Sequence, residues 1–293
     1  MTAPATNHLK ALYGLKFNPF SLDVPDDALL CTPRVDDFGW RLEHGVAAEG
    51  GFALINGGVG SGKSTTLRLL VSRLERQRDL SVAILQRPQS GVADFYREMG
   101  ELFGVPLRPH NRWAGFRSLR DKWMAHIEGS LTRPVLLIDE AQEMHHQVLA
   151  ELRLLTQTRF DSRSILAVVL AGDERLLARL GTPELLPLAS RIRSRLMLDV
   201  ATPADLRACL VHRMTSAGNA KLMTNELLDA LCEHALGNHR ALVVMADELL
   251  AHAARHEREV LDEKLYFEVF DPSRATAASE PKGRAAGQRR RRR

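Results

Sequence analysis

The chain has 293 residues, 45% of them hydrophobic and 26% charged, with a formal net charge of +4 and only three cysteines. That length can bury the core of one α/β domain plus a smaller one; Cys31, Cys209 and Cys232 form no C-x-x-C pair, which argues against a disulfide framework or zinc site and suits a reducing cytoplasm. The longest apolar run, Ile165 to Ala171, is too short to span a bilayer and the N-terminus lacks a signal-peptide pattern, so a soluble cytoplasmic protein without membrane insertion is expected.

Residues 1–34 read as an N-terminal arm, since Lys10 to Pro33 mixes Pro and Asp with Tyr13, Phe17, Pro19 and Phe20 and shows no period. Residues 35–200 read as an α/β nucleotide-binding domain. Helix-like spacing near 35–48 precedes Phe52-Ala53-Leu54-Ile55, an apolar run that suits a buried strand. Residues 57–64 then read Gly-Gly-Val-Gly-Ser-Gly-Lys-Ser, a complete G-x-x-x-x-G-K-[ST] phosphate-binding pattern. Gly57, Gly58, Gly60 and Gly62 free the backbone to turn its amides toward phosphate, with Val59 and Ser61 between them. Lys63 supplies charge for the β/γ oxygens, Ser64 a hydroxyl for Mg²⁺, and Thr65 continues into the helix. Beyond it, Leu67, Leu70, Val71 and Leu74 fall at helical spacing with arginines 68, 73, 76 and 78 outside. Strand, glycine loop and helix are the setting that this pattern requires, and ATP with Mg²⁺ is the ligand expected.

Leu80 to Leu85 reads as a second strand, and Asp94 to Phe103 and Trp113 to Ile127 as helices. Around the latter, Arg108, Arg112, Arg117, Arg120 and Lys122 interleave with Trp113, Phe116 and Trp123. That is either a basic stripe with stacking platforms for DNA or an amphipathic helix with a solvated face. Val135-Leu136-Leu137-Ile138-Asp139-Glu140 has the form of a central strand that delivers two carboxylates at its end. Asp139 is the candidate to hold Mg²⁺ and Glu140 the candidate to orient or deprotonate the attacking water. An Asp-Glu pair after a strand also suits a helix N-cap, and the upstream loop favours the catalytic role. A helix over Ala141 to Thr156 follows. His145 and His146 are adjacent on it, point apart and imply no metal.

Ile165 to Leu170 reads as a strand that ends at Asp173, where a polar residue can approach the γ-phosphate; a plain turn is the other reading. Arg191, Arg193 and Arg195 alternate in a segment ending in a strand over Arg195 to Val200. They form either a surface charge stripe or an arginine finger for a neighbouring subunit. Residues 201–272 switch to helices only, a lid domain. Thr202-Pro203-Ala204-Asp205 is a helix start, and further helices are expected over Asn225 to Ala235, His239 to His256 and Asp262 to Phe270. Arg240 at a lid helix start is a candidate to fold back onto the phosphates. The last 21 residues carry +7 of the charge, leaving −3 on the rest. They read as a disordered basic tail whose Arg289, Arg290, Arg291, Arg292 and Arg293 suit polyanion phosphates or simple solubility.

The order of these motifs resembles the AAA+ ATPases, and more narrowly the group of ExeA-type secretion ATPases and TniB/TnsC/MuB transposition helpers. The resemblance is carried by Tyr13-Gly14-Leu15, Asn18-Pro19-Phe20, the phosphate loop, Leu137 to Gln142, Val169 to Gly172, Ser190-Arg191-Ile192 and Gly237-Asn238-x-Arg240. It implies a parallel α/β P-loop NTPase sheet with a small C-terminal helical lid. Asp173 then stands at the sensor-1 place, Arg191 (or Arg193) at the finger and Arg240 at sensor 2. The family more often has Asn or Gln where Asp173 stands. The secretion branch usually adds a membrane span and a wall-binding domain, whereas this sequence ends in arginines, which favours the transposition branch. The resemblance thus implies an ATPase, stimulated by DNA, that forms a homo-oligomeric ring or filament on double-stranded DNA and engages a transposase. An ExeA-like secretion-assembly ATPase with a membrane partner is the alternative, and a non-hydrolysing regulatory module a third reading.

Overall fold

A computed structural model describes residues 10–106, 112–158 and 162–270. Five strands form one sheet: β1 (Gly51–Gly57), β2 (Leu80–Leu85), β3 (Arg133–Ile138), β4 (Ala167–Gly172) and β5 (Ile192–Leu198). Their spatial order is β2-β3-β4-β1-β5, and every neighbouring pair is parallel. A parallel sheet must be covered on both faces, which is why β1, all seven residues buried, reads as an apolar run instead of an alternation. Phe52 and Leu54 point into one core with α3 (Val92–Leu102), α4 (Arg112–Gly129), α5 (His146–Thr156), α6 (Glu174–Leu180) and the short α7 (Leu186–Ala189). Ala53 and Ile55 point into the other, against α1 (Pro33–Arg41), its π-helical continuation Leu42–Ala47, and α2 (Lys63–Leu74). The fold is a parallel α/β sheet covered by helices on both faces and followed by a small helical lid, as the resemblance implies.

The lid consists of α8 (Pro203–Ala217), α9 (Asn225–His234), α10 (His239–Arg255) and α11 (Glu263–Phe270). Its starts are written in short polar signals. Thr202 and Asp205 cap each other's backbone in a capping box, Thr224 accepts from the Leu227 N–H, and Asn238 accepts from the N–H groups of Arg240 and Ala241.

Tertiary packing moves several expected boundaries. Between α5 and β4, Gln157–Thr158 pairs with Arg163–Ser164 and the Ile165 N–H donates to Thr156 O, so β4 starts two residues later than the apolar run does. Strand β5 starts at Ile192, where it comes into register with Phe52, and gives way to the lid linker after Leu198. The continuous helix expected over Ala141 to Thr156 is interrupted: Glu140 sits at φ +50°, Ala141–Glu143 form a 3₁₀ turn, and α5 begins only at His146.

The described part of the arm packs into the lid core. Tyr13, Leu15 and Phe20 are buried among Leu206, Leu210, Leu242 and Leu249. Tyr13 donates its hydroxyl to Arg258 O at 2.8 Å, Asn18 its amide to Asp247 at 2.7 Å, and Arg213 its guanidinium to Pro19 O at 3.1 Å. The chain then crosses to α2, where Arg68 donates to Val24 O at 2.7 Å and to Asp26 at 2.8 Å, and Ser72 donates to Asp26.

Candidate active site

The carboxyl ends of β1, β3 and β4 converge, and the first turn of α2 faces them. At this end of the open sheet the order of strands reverses around β1, the position where α/β folds bind ligands. Gly60 at φ +76° and Gly62 at φ +97° take left-handed conformations that let the loop fold back over the helix start. Helix α2 has no side-chain cap, leaving its first amides available to an anion, and the Ser61 hydroxyl inside the loop is buried without a protein partner. Lys63 is buried and donates to Gly57 O and Gly58 O, both at 2.9 Å, which holds its ammonium on the loop.

The Ser64 hydroxyl donates to Asp139 Oδ2 at 2.7 Å, 75 residues apart in sequence. The other carboxylate oxygen, Oδ1, accepts the Glu140 N–H at 2.9 Å. A hydroxyl and a carboxylate brought together at the mouth of a phosphate loop are hard oxygen donors of the kind Mg²⁺ takes, so the residues present fit the ion. Glu140 is exposed, and its carboxylate accepts from the Gln142 side-chain amide.

Asp173 lies at the end of β4 as its spacing suggests, with its carboxylate turned to Arg175: it caps α6 by accepting the Arg175 N–H at 2.9 Å and the guanidinium Nε at 2.9 Å. The Arg175 side-chain bond, opposed by partial desolvation and aided by the Arg175 N–H and charge and by Lys63, holds this carboxyl below the usual aspartate value. Arg240 is exposed in the first turn of α10, next to the loop, for the His239 N–H donates to Gly60 O at 3.0 Å.

The structure does not bring the arginine triplet to this site. Strands β1 and β5 run in the same direction, and Phe52 is opposite Ile192 while Gly57 is opposite Leu198. Arg191 and Arg193 therefore lie at the amino end of the sheet, roughly 17 Å along the strand from the loop at ~3.3 Å per residue. Arg193 pairs with Glu49 at 2.5 Å, Arg191 donates to Pro187 O and Arg195 to Ala189 O at 3.5 Å.

The basic stripe on α4 is largely committed within the chain. Arg112 pairs with the buried Glu151, which also accepts the Tyr96 hydroxyl at 2.6 Å. Arg120 lies over the Phe116 ring and donates to Leu154 O at 2.9 Å, Leu155 O at 3.4 Å and Gln157 O, closing the carboxyl end of α5. Lys122 donates to Gly104 O at 3.2 Å. Trp123 is core, while Trp113 and Arg117 are exposed. Arg108 and Arg289 to Arg293 lie outside the described residues. Among the described residues no group of three or more His, Cys, Asp or Glu could hold a metal, and no helix is long and apolar enough to cross a membrane.

Sequence reasoning noted Gln142 only within the resemblance and gave no role to it, to Arg175 or to Arg179. Gln142 is buried, its side-chain oxygen accepts the Asp173 N–H at 3.3 Å, and its carbonyl accepts from Arg179 at 2.5 Å. Its position two residues past the acidic pair was visible, but its partners lie on a different strand and helix.

Residues 47–180 match the family model of an AAA domain. The chain is 30% identical over 266 residues to general secretion pathway protein A of Aeromonas hydrophila, covering 89% of this chain and 48% of that protein. It thus spans about half the length of that relative. Among solved structures, Cdc6p of Pyrobaculum aerophilum superposes with a TM-score of 0.69 at 15% identity, over 90% of this chain and 74% of that one. Drosophila ORC bound to DNA gives 0.68 at 16%, over 95% and 69%. The Aeropyrum pernix ORC1 protein in complex with DNA gives 0.66 at 18%, over 88% and 68%. At such identities these likenesses speak for the fold alone. The AAA-domain match, the secretion relative and the shared fold support an AAA+ ATPase.

Proposed function

We propose that this chain is the ATP-hydrolysing module of a secretion-assembly machine of the ExeA type, working with a membrane partner, and that it self-associates when it binds ATP. The observation that carries this is the match to the Aeromonas secretion protein along 89% of the chain. That match to a secretion protein favours the secretion reading over the transposition reading. A second reading, assembly on DNA, keeps one supporting feature, the net +7 over the last 21 residues.

In this reading the amides of Gly57 to Thr65 and the helix start cradle the β- and γ-phosphates, and Lys63 swings from the carbonyls of Gly57 and Gly58 to the triphosphate. Ser64 and Asp139, whose oxygens already meet, would hold Mg²⁺, which would supply positive charge against the charge that develops on the phosphates. Glu140 receives the proton of the attacking water. Asp173 keeps the end of β4 in place through Arg175, and Arg240 approaches the phosphates from the lid. Arg191 or Arg193, at the far end of the strands, serves the site of the next subunit.

The test is ATPase rate and assembly state by gel filtration, each with and without duplex DNA. ATP-dependent assembly with a rate indifferent to DNA is expected. DNA-stimulated turnover would return the transposition reading, and a protein that neither binds nor hydrolyses ATP would end both.

A further inference from the structure

Glu140 is exposed, sits on a left-handed backbone at φ +50° and has three rotatable side-chain bonds. A general base must hold its carboxylate within about 2.6–3.2 Å of the water it deprotonates, directly or through one further water. The backbone alone does not supply that order. Gln142 does: its amide nitrogen donates to Glu140 Oε2, and its amide oxygen accepts the backbone N–H of Asp173 at 3.3 Å. Gln142 is itself buried, only 6% exposed, and its carbonyl accepts from Arg179 at 2.5 Å. Space for the carboxamide comes from Gly172, where a Cβ would stand 2.8 Å from Gln142 Oε1.

We propose that Gln142 is a positioning residue that ties the Glu140 carboxylate to the carboxyl end of β4, so that the β4–α6 corner sets where the base stands. This rests on the reading of Glu140 as the base. A charge-assisted bond from a buried amide orients a carboxylate more firmly than solvent does. Gln142 makes no contact with the Ser64–Asp139 pair or the phosphate loop among the described hydrogen bonds, so its influence falls on turnover and not on nucleotide affinity.

The experiment is steady-state ATPase kinetics on the full chain for Gln142→Ala, Gln142→Glu, Glu140→Gln and the double variant Glu140→Gln/Gln142→Ala. Affinity for a fluorescent ATP analogue is measured on each. Gln142→Ala should lower kcat about ten-fold or more, with KM and analogue affinity within about two-fold of the parent. Once Glu140 is neutralised nothing remains to position, so the double variant should be no slower than Glu140→Gln alone. Gln142→Glu keeps the shape but replaces the amide donor with a carboxylate that cannot hold Glu140, so its kcat should fall as that of Gln142→Ala does, with KM little changed. If Gln142→Ala proves unstable, Gly172→Ala, which crowds the carboxamide, should give the same fall in kcat.

Gln142→Ala turning over at the parent rate, or slowing the Glu140→Gln background further, would overturn the proposal while leaving the ATPase reading intact. An active Glu140→Gln protein would instead remove the base itself, and the proposal with it.

Discussion

The backbone N–H of His239, the first residue of lid helix α10, donates to the carbonyl of Gly60 in the phosphate loop at 3.0 Å. The lid therefore rests directly on the loop. The seam is tight: Gly60 is at φ +76°, and a Cβ there would overlap the Asn238 side chain that caps α10. Gly60→Ala should combine left-handed strain of about 1 kcal/mol with displacement of the lid. We expect roughly ten-fold or greater loss of ATP affinity by equilibrium binding, with the lid helices still folded by circular dichroism.

Lys63→Ala should remove a charge-assisted phosphate contact worth about 1.5–3 kcal/mol, lowering ATP affinity roughly 10- to 100-fold. Glu140→Gln should behave in the opposite way, keeping affinity and losing most turnover. Titration with a fluorescent nucleotide alongside phosphate release separates the two, and equal affinities for Lys63→Ala and the parent would contradict the site.

The arm contributes unequally along its length. Phe20 is 2% exposed in the lid core, and Phe20→Ala should cost about 3–5 kcal/mol. Asp26 and Arg68 remain 42% and 38% exposed, so Asp26→Ala should cost no more than about 1 kcal/mol. Urea denaturation followed by intrinsic fluorescence gives the ranking, and a larger effect at Asp26 would mean that charge, not burial, docks the arm.

Burial drives the His239 imidazole below its usual value of 6.5, against an opposing pull from Asp205 and aided by Arg213. A histidine with a lowered pKa folds best uncharged. Its penalty is absent above about pH 6.5 and grows as pH falls through the lowered value. Thermal melts of the parent should therefore lose more stability between about pH 7 and pH 5 than those of His239→Gln. Parallel curves would mean that burial of the imidazole carries no such penalty.

The pair of Arg193 with Glu49 is more than half exposed, worth about 1 kcal/mol or less, and is readily exchanged for a stronger anion. If the fingers act between subunits, Arg193→Ala or Arg191→Ala protein should be inactive alone. It should recover activity on mixing with Lys63→Ala protein, each supplying the part the other lacks. No recovery at any ratio would assign these arginines to the surface.

What could be read from the sequence was what is local along it. The phosphate loop, the acidic pair and the caps at Thr202, Thr224 and Asn238 are contiguous signals whose chemistry acts within a few residues. The sheet and lid followed from apolar runs giving way to helical spacing. What escaped depends on contacts between distant segments. The arm has no period because its side chains answer to lid helices some 200 residues away, as Asn18 does to Asp247. The α4 arginines looked free because their acceptors, Glu151 and the end of α5, are not neighbours in sequence. Glu140 takes a left-handed backbone, and the helix expected from Ala141 begins only at His146, which spacing along the chain does not reveal.

The lid is made from both sides of the nucleotide domain in chain order, arm residues 13–20 before it and α8 to α11 after it. Two strands of chain, near residues 21–32 and 199–202, therefore cross between the bodies. The lid is thus tied to the nucleotide domain by both crossings and by the His239 N–H bond to Gly60 O, and this last tie places it against the very loop that phosphate would occupy.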